Sequence, residues 1–473
     1  MIPEANFKGV KYMITKSNAK KILNAALATG GDFAEIFLED TKGSSIVYEK
    51  DVVEQANKTN TYGAGIRILK GLQSVYGYTN DVTIEGLETL ATNLSYRYEG
   101  KRVMRAKDFV IDQTPSVHKF VKYGSKFSNA KRVNLAKKAF KAMKKTSKLI
   151  STATASVIET IQNVTIINSD GLWTSDLRVR VRLGLLAIAA KNGQMETAFE
   201  GPGALSGFEY FDTINTIDIA KKVAKSALTA LKAKECPSRK MDVIIDNGFG
   251  GVIFHESCGH SLEATSVAKD LSVFCGKKGQ KIANEIVNAV DDGTIVNAWG
   301  SGKVDDEGHV TQRNVLIKDG VLVNYLVDAQ NGRRMKDVAN GCSRRQNYKY
   351  APTSRMSNTF ILAGKSTKDE IIQATKKGLY CAKMGGGSVN PVTGEFNFSV
   401  AEAYLVKDGK IRKPVKGATL VGSGSEILMN IDMIGDNLDR AQGMCGSQSG
   451  SIPADVGQPC IRVRNITVGG RGK

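Results

Sequence analysis

A six-residue stretch with two of the chain's four histidines constrains this sequence more than any other. Residues 255–260 read His-Glu-Ser-Cys-Gly-His, an HExxxH pattern. They follow a strand-like run over 243–245 and a glycine-rich turn over 248–251. Neutral imidazole and carboxylate are the groups that Zn²⁺ and its activated water require. The stretch therefore indicates a zinc site where a buried strand passes into a helix.

The spacing of the two histidines predicts a distorted helix. Residues five apart on a regular α-helix differ by about 500° of rotation, so the rings of His255 and His260 would diverge by roughly 140°. One metal ion cannot reach both rings from that arrangement. A one-residue π-bulge, or a helix that ends near Gly259, would bring them together. Gly259 suits either solution, so the sequence leaves both open.

The third zinc ligand is not fixed by this pattern. A catalytic zinc takes three protein ligands and keeps one position open for water. The candidates are Cys258, Glu263 and a residue distant in the sequence. Cys258 is also explained as a small buried thiol, which is the more common fate of such a cysteine.

The composition is that of a globular chain whose cysteines stay reduced. Of the 473 residues, 41% are hydrophobic and 24% are charged. The seven cysteines are dispersed and odd in number, which favours free thiols and a cytoplasmic location. Residues 1–8 have no apolar core of signal-peptide length. No apolar run of about 18 residues predicts a membrane span.

The net charge of +19 raises the question of a nucleic-acid partner. The densest basic run, residues 131–148, contains eight basic residues and no acid. Its apolar positions follow helical spacing, so the basic side chains would lie on the outer face of an amphipathic helix. Because the sequence has no nucleic-acid motif, we expect a solvated basic surface and no nucleic-acid interface.

The pattern along the chain predicts an α+β fold in two domains. An N-terminal α/β domain with a mixed sheet would cover residues 1–236. A β-rich C-terminal domain carrying the metal-binding helix would cover residues 237–473. The boundary is placed in the break at 234–238, which follows a predicted amphipathic helix over 213–233.

Other elements are predicted from hydrophobic periodicity and turn residues. Further helices are expected over 15–29, 83–94, 131–148, 326–335 and 368–378, and short strands over 33–39, 45–48, 65–69, 74–78 and 164–168. Residues 177–190 alternate arginine with valine and leucine, which predicts a half-buried strand.

The C-terminal half also carries a series of blocks in a fixed order. They are Asp305-Asp306-Glu307-Gly308, Asn340-Gly341-Cys342-Ser343-Arg344-Arg345, Arg355-Met356-Ser357-Asn358-Thr359-Phe360, Gly385-Gly386-Gly387-Ser388-Val389, Thr393-Gly394-Glu395-Phe396, residues 413–420, Met444-Cys445-Gly446 and Val456-Gly457-Gln458-Pro459. Together with the HExxxH stretch, these blocks resemble the TldD/PmbA family of metallopeptidases, in the branch that keeps the metal motif. Their order is more specific than any single block.

The resemblance implies the rest of the metal site. The cysteine of the Met-Cys-Gly block, here Cys445, would be the third zinc ligand. Glu256 would be the general base that activates the metal-bound water. The family usually has a lysine after Cys-Gly, whereas this chain has Ser447. This difference does not change the expectation that the Cys445 thiolate is a ligand.

The resemblance also implies partners and substrates. The subunit would form a homodimer, or a heterodimer with a metal-free paralogue. Its substrates would be short peptides or unfolded protein segments laid against a strand edge. Arg344, Arg345 and Tyr348 are candidates for stabilising the oxyanion or holding a peptide carboxylate.

We therefore expect a cytoplasmic zinc metallopeptidase. The alternative is a non-catalytic peptide-binding or regulatory partner subunit with a structural metal site. Three protein ligands plus water would favour the enzyme. Four protein ligands, with Cys258 as the fourth, would favour the alternative.

Overall fold

The computed structural model describes residues 14–472, so residues 1–8, for which no signal peptide was predicted, lie outside it. The described chain contains nine α-helices: α1 (Lys16–Ala26), α2 (Ile84–Ser95), α3 (Asn129–Thr146), α4 (Thr216–Lys232), α5 (Val252–Ser257), α6 (Ala264–Val267), α7 (Ala329–Met335), α8 (Lys368–Gln373) and α9 (Gly424–Met429). Within residues 14–472, no helix has the length and apolar character that a bilayer crossing requires.

The N-terminal half is built on one eight-stranded sheet. Its strands are β1 (Phe33–Glu49), β2 (Val52–Lys70), β3 (Gln73–Thr79), β4 (Val110–Ile111), β5 (Ile150–Asn168), β6 (Leu172–Lys191), β7 (Gln194–Glu200) and β8 (Gly203–Ala204). The strand order is β3-β2-β1-β5-β6-β4, and β7 and β8 also pair with β6. The pairing of β4 with β6 is parallel, whereas the other pairings are antiparallel. The sheet is therefore mixed, as predicted.

Two helix pairs cover different ends of one face of this sheet. Near the start of β1, Ala34 and Ile36 belong to a core with α1 and α2. Near its end, Tyr48 packs edge-on against Phe140 of α3, with ring centroids 5.3 Å apart. Side chains at even positions of a strand share a face, so both cores lie on the same side. The opposite face carries Phe37, which packs with residues of the C-terminal half.

The strands are longer than the sequence predicted. The expected strands over 33–39 and 45–48 are parts of β1, which continues through Gly43. Gly43 is paired on both sides, with Thr59 of β2 and Thr160 of β5. Ladder hydrogen bonds from two neighbours thus hold a residue that by itself signals a strand end. The helix expected over 368–378 is shorter, because β17 already begins at Lys377.

The C-terminal half contributes the remaining strands. They are β9 (Lys234–Glu235), β10 (Arg239–Ile245), β11 (Ala289–Asp292), β12 (Arg313–Lys318), β13 (Val321–Leu322), β14 (Ser343–Arg344), β15 (Thr353–Ser354), β16 (Asn358–Ile361), β17 (Lys377–Val389), β18 (Glu395–Lys407), β19 (Lys410–Lys416), β20 (Thr419–Ser423), β21 (Ile431–Ile434), β22 (Asp439–Ser447), β23 (Gly450–Gln458) and β24 (Ile461–Gly469).

Five of these strands close into a ring. The sheet order β17-β10-β24-β20-β18 is completed by a direct pairing of β18 with β17. Ile253 and Phe254 of α5 share one buried cluster with Val243 of β10 and Phe398 of β18. A further sheet, ordered β13-β12-β11-β16-β23-β22, ends in the β22–β23 hairpin. Helix α5 is therefore a core element of the C-terminal half.

The sequence prediction for the arginine face of β6 is wrong in one respect. The alternation there suggested a polar face towards solvent, but Arg178 and Arg180 are each only 7% exposed. Arg178 pairs with Asp176 at 2.9 Å and with Asp306 at 2.7 Å. The C-terminal half covers this face, and alternation within one strand cannot show what packs on its polar side. The domain boundary at residue 236 remains a prediction.

Candidate metal centre

The HExxxH stretch runs through two short helical turns separated by a break. A 3₁₀ turn, Gly248–Gly251, leads into α5, and a second 3₁₀ turn spans Gly259–Leu262. Between them, Cys258 leaves the helical region with φ −129° and ψ −52°. Of the two solutions that the spacing allowed, the helix end is the one found. A Cβ at position 259 would overlap Met356 Sδ, so a larger residue there would require the methionine side chain to move.

Because of this break, the Nε2 atoms of both histidines lie close to the same sulfur atom. His255 Nε2 lies 3.2 Å from Cys445 Sγ, and His260 Nε2 lies 3.3 Å from the same sulfur. The two imidazole rings are nearly perpendicular, at 86°, with centroids 5.0 Å apart. The chain thus gathers two imidazole nitrogens and one thiol sulfur at one point, although Cys445 is distant in the sequence.

The β22–β23 hairpin holds Cys445 in position, and Arg355 anchors that hairpin. The Arg355 side chain is fully buried. Its Nη2 donates to the carbonyl of Cys445 at 2.6 Å, and its Nη1 donates to Ser449 Oγ and the carbonyl of Gly450, both at 2.9 Å. One guanidinium therefore ties both strands of the hairpin together beside the sulfur.

These three residues fit a zinc ion. Zinc takes imidazole nitrogen at 2.0–2.1 Å and thiolate sulfur at about 2.3 Å, so a tetrahedral site separates N from S by about 3.6 Å. The two separations in the structure are shorter by a few tenths of an ångström, and all three donor atoms lie within 4.8 Å of one another. His255 Nδ1 is buried without a partner among the described residues.

The electrostatics of the group favour a thiolate. Burial alone would raise the pKa of the Cys445 thiol, but the charges and hydrogen bonds of His255 and His260 lower it to about 3. Burial opposes the charged form of His260, whereas the carboxylate of Glu263 and the Cys445 sulfur raise its pKa well above the ordinary value. Thiolate is the form in which cysteine binds a metal.

Glu256 lies on the more open side of the group. Its Oε2 is 3.8 Å from His260 Nε2, and its side chain is 21% exposed. His255 and Cys445, in contrast, are 2% and 5% exposed. A carboxylate at the solvent side of a metal group can accept a proton from a bound water and release it again.

The other two ligand candidates have different surroundings. Cys258 is fully buried in the apolar core, and burial raises the pKa of its thiol. It lies outside the described group of three, which does not support a fourth protein ligand. Glu263 Oε1 lies 3.2 Å from His260 Nδ1 and 3.9 Å from Arg355 Nε. Glu263 therefore orients His260 from behind, a position that the motif alone did not reveal.

The three expected substrate-binding residues are engaged within the chain. Arg345 is 4% exposed and pairs with Glu35 at 2.7 Å. Tyr348 is 6% exposed and packs with Phe37. Arg344 is half-buried and donates to two backbone carbonyls. Arg345 and Tyr348 join the two halves of the chain through these contacts. A role of the three side chains in stabilising the oxyanion or holding a peptide carboxylate stays a prediction.

A second group of possible ligands was not predicted from the sequence. Asp305, Glu307 and His309 have donor atoms within 4.8 Å of one another. Arg67 lies 2.7 Å from both Glu307 and Glu35, so the carboxylates already have a buried counter-charge. In the sequence, only the alternate spacing of Asp305, Glu307 and His309 indicates that their side chains could form a group. The group is better described as an ion-pair network.

The family comparison decides which class of protein this geometry belongs to. Three family models match the chain in order: PmbA/TldA metallopeptidase domain 1 at residues 34–95, the central domain at 122–231 and the C-terminal domain at 238–470. The chain belongs to the PmbA/TldD family. The resemblance read from the sequence blocks is thereby confirmed, and the protein is a member of a metallopeptidase family.

Relatives in this family match over nearly the full length. A metalloprotease TldD homolog of Haemophilus influenzae is 34% identical, with 93% of each chain covered. A metalloprotease of Methanocaldococcus jannaschii is 30% identical over 91% of this chain and 96% of its own. The crystal structure of TldE from Thermococcus kodakarensis has the same fold, with a TM-score of 0.73 at 17% identity over 93% and 97% of the two chains.

Proposed function

We propose that this chain is a zinc-dependent peptidase that hydrolyses short peptides or unfolded protein segments bound in extended conformation. The observation that carries the proposal is the convergence of His255, His260 and Cys445 beside a carboxylate, Glu256. The metalloprotease names of the relatives support the reaction class. Three protein donors leave a fourth zinc position for water or substrate.

Each residue then has a defined task. His255, His260 and Cys445 would hold the ion, and zinc bound there would supply Lewis-acid chemistry by acidifying a coordinated water and polarising the scissile carbonyl. Glu256 would take the proton from the water and pass it to the leaving amine. Glu263 would fix the tautomer and orientation of His260.

We further propose a cytoplasmic location and a dimeric state. The seven cysteines form no disulfide in the described chain, which suits a reducing compartment. The dimer would be a homodimer or a heterodimer with a metal-free paralogue, as the resemblance to the TldD/PmbA family implies. Native mass measurement of the isolated protein would test the second point, since a monomer would contradict it.

The substitution Glu256→Gln tests the mechanism. Loss of the general base should lower the rate of peptide hydrolysis by about 10²–10⁴-fold. Zinc content per chain, measured by metal analysis, should stay the same because Glu256 is not a ligand.

Glu285→Gln is a matched control, since the Glu285 side chain is 78% exposed and belongs to a surface pair with Lys281. It should retain full activity and full zinc. Hydrolysis by Glu256→Gln at the rate of the control would rule out the proposed base.

A further inference from the structure

A small cavity lies where strand β6 meets the C-terminal half. Arg178 and Arg180 of β6 line one side, and Ser301, Gly341, Arg344 and the acidic residues Asp305 and Asp306 line the other. It leaves about 20 Å³ for the centres of water-sized groups, whereas one water needs about 10–15 Å³ on this measure. The cavity therefore has room for a very small ligand, and both halves of the chain contribute to its wall.

Two arginines in this wall lack a carboxylate partner. Arg180, 7% exposed, donates Nε to the carbonyl of Trp299 at 2.9 Å and Nη2 to that of Ser301 at 3.0 Å. Arg344 donates Nη1 to the carbonyls of Met356 at 3.2 Å and Pro453 at 2.7 Å. Within residues 14–472, neither guanidinium lies within 4.0 Å of a carboxylate oxygen. Their acceptors are all neutral.

Three other deeply buried arginines have a carboxylate in direct contact, whereas Arg355 is held mainly by neutral acceptors. Arg67, Arg178 and Arg345 each lie 2.7 Å from a glutamate or aspartate oxygen. A buried ion without a counter-ion is costly, because it loses its hydration and gains no compensating charge. Asp305 and Asp306 line the same cavity, but among the described residues neither forms an ion pair with Arg180 or Arg344. These two guanidiniums therefore have no direct counter-charge.

The ionisation of the two arginines agrees with this lack of a direct counter-charge. Burial, together with the charges of Arg344 and Arg178, lowers the pKa of Arg180 to about 9, although Asp176 and Asp306 act in the opposite direction. Burial lowers the pKa of Arg344 to about 10; Asp306 opposes that shift, while Arg178 and Arg355 add to it. An anion between the two guanidiniums would reverse both shifts.

We propose that this cavity binds a small monovalent anion between Arg180 and Arg344. Chloride and the carboxylate group share the required chemistry, a compact negative charge that accepts several N–H bonds. The source is either a free ion or the C-terminal carboxylate of a peptide. The anion links β6 to the C-terminal half, so it stabilises the contact between the halves and does not depend on zinc.

Thermal unfolding of the full chain, with chelator present, tests this proposal. The probes are sodium chloride, sodium formate and sodium gluconate at equal ionic strength, because gluconate is too large for the cavity. Chloride and formate should raise the unfolding midpoint over gluconate by about 1–3 °C at saturation. Salts also act on the whole surface, so the decisive quantity is the difference between wild type and variants.

Arg344→Met should lose the preference for small anions, and Arg180→Met should lose it too if that variant folds. Arg182→Met is the matched control, since Arg182 lies on the same strand but donates to the carbonyls of Gly201 and Gln442. It should keep the preference. Equal anion effects in wild type and Arg344→Met would overturn the proposal and leave a water-filled cavity.

Two further experiments identify the anion directly. Crystals grown with bromide should show an anomalous peak between Arg180 and Arg344, and its absence would contradict the proposal even if a variant fails to fold. A peptide with a free C-terminus should raise the midpoint only if it is the source, whereas its C-terminally amidated form should not. An effect of bromide or chloride alone assigns a free ion.

Discussion

At the scale of single residues, the candidate metal centre depends on a carboxylate that is not one of its ligands. Glu263 lies 3.2 Å from His260 Nδ1, on the side of the ring away from Cys445, and is itself near Arg355. Carboxylates behind metal-binding imidazoles fix the ring and increase its basicity. The chain of contacts from Arg355 through Glu263 to His260 therefore sets where the imidazole nitrogen points.

Glu263→Gln is expected to weaken zinc binding by about 10–100-fold, because the amide cannot hold the imidazole as a charged oxygen does. A competition titration with a chromophoric chelator measures this affinity. The control Glu285→Gln should bind zinc as wild type does. An unchanged affinity for Glu263→Gln would show that His260 is oriented by the helix break alone.

The ion-pair network at His309 predicts a pH dependence of stability. Burial disfavours the charged ring, but Asp305, Glu307 and Glu35 raise the pKa of His309 to about 9. The unfolded value is about 6.5, so the folded state binds the proton more tightly. This stabilisation is complete below about pH 6.5 and is lost as the pH rises through about 9.

The unfolding midpoint of wild type should therefore fall between pH 7 and 9.5 by more than that of His309→Gln. Differential scanning calorimetry across this range measures both. Parallel curves for the two proteins would mean that His309 carries no proton in the folded state at neutral pH. The His309 side chain is 41% exposed, so water screens its charges and moderates the effect.

At the scale of elements, the turn before α5 rests directly on strand β23. A Cβ at Gly251 would overlap the backbone of Gly457, which cannot rotate away as a side chain can. Because both residues are glycine, the HExxxH helix can approach β23, which pairs with the strand that contains Cys445. This close approach brings the two parts of the site together.

Gly251→Ala should lower the free energy of unfolding by about 1–3 kcal/mol, the usual cost of overpacking, or more because the obstacle is backbone. Gly386→Ala is the control, since a Cβ there meets no atom within 4 Å. Urea unfolding of both variants measures the difference. Similar stabilities would mean that α5 can move away from β23 without loss.

The elements differ in how well the sequence predicts them. The turn at Asn192-Gly193 can be predicted from the sequence. Both residues have positive φ (50° and 79°), a backbone conformation that asparagine and glycine tolerate. The helix end near Gly259 was one of the two helix distortions that the histidine spacing predicts. The length of β1 could not be predicted from the sequence, because the neighbouring strands decide whether Gly43 is paired. Cys445 came from family resemblance, since no local rule links it to His260.

At the scale of the whole molecule, charged side chains join the two halves. Arg178 of β6 reaches Asp306, and Glu35 of β1 reaches Arg345. All four side chains are buried. A sequence shows which residues are charged but not which distant charge each one meets, so this interface was missed, although the strands on its N-terminal side were predicted in part.

Arg178→Met should destabilise the protein by about 3–5 kcal/mol, because Asp176 and Asp306 would stay buried without their partner. Arg464→Met is the control, since Arg464 is 46% exposed in its pair with Asp242, and exposed pairs contribute about 0–1 kcal/mol. Urea unfolding followed by two probes, one in each half, measures stability and coupling. Equal losses for the two variants would contradict a central role for Arg178.

The wide separation of the candidate ligands along the chain also has a consequence in time. Cys445 is synthesised 185 residues after His260 (445 − 260). At 5–20 residues per second, a growing chain spends about 10–40 s with both histidines made and the sulfur absent. During that interval the unfinished chain has no complete candidate site. Each copy can therefore offer all three candidate ligands to a metal ion only when nearly all of it has been made.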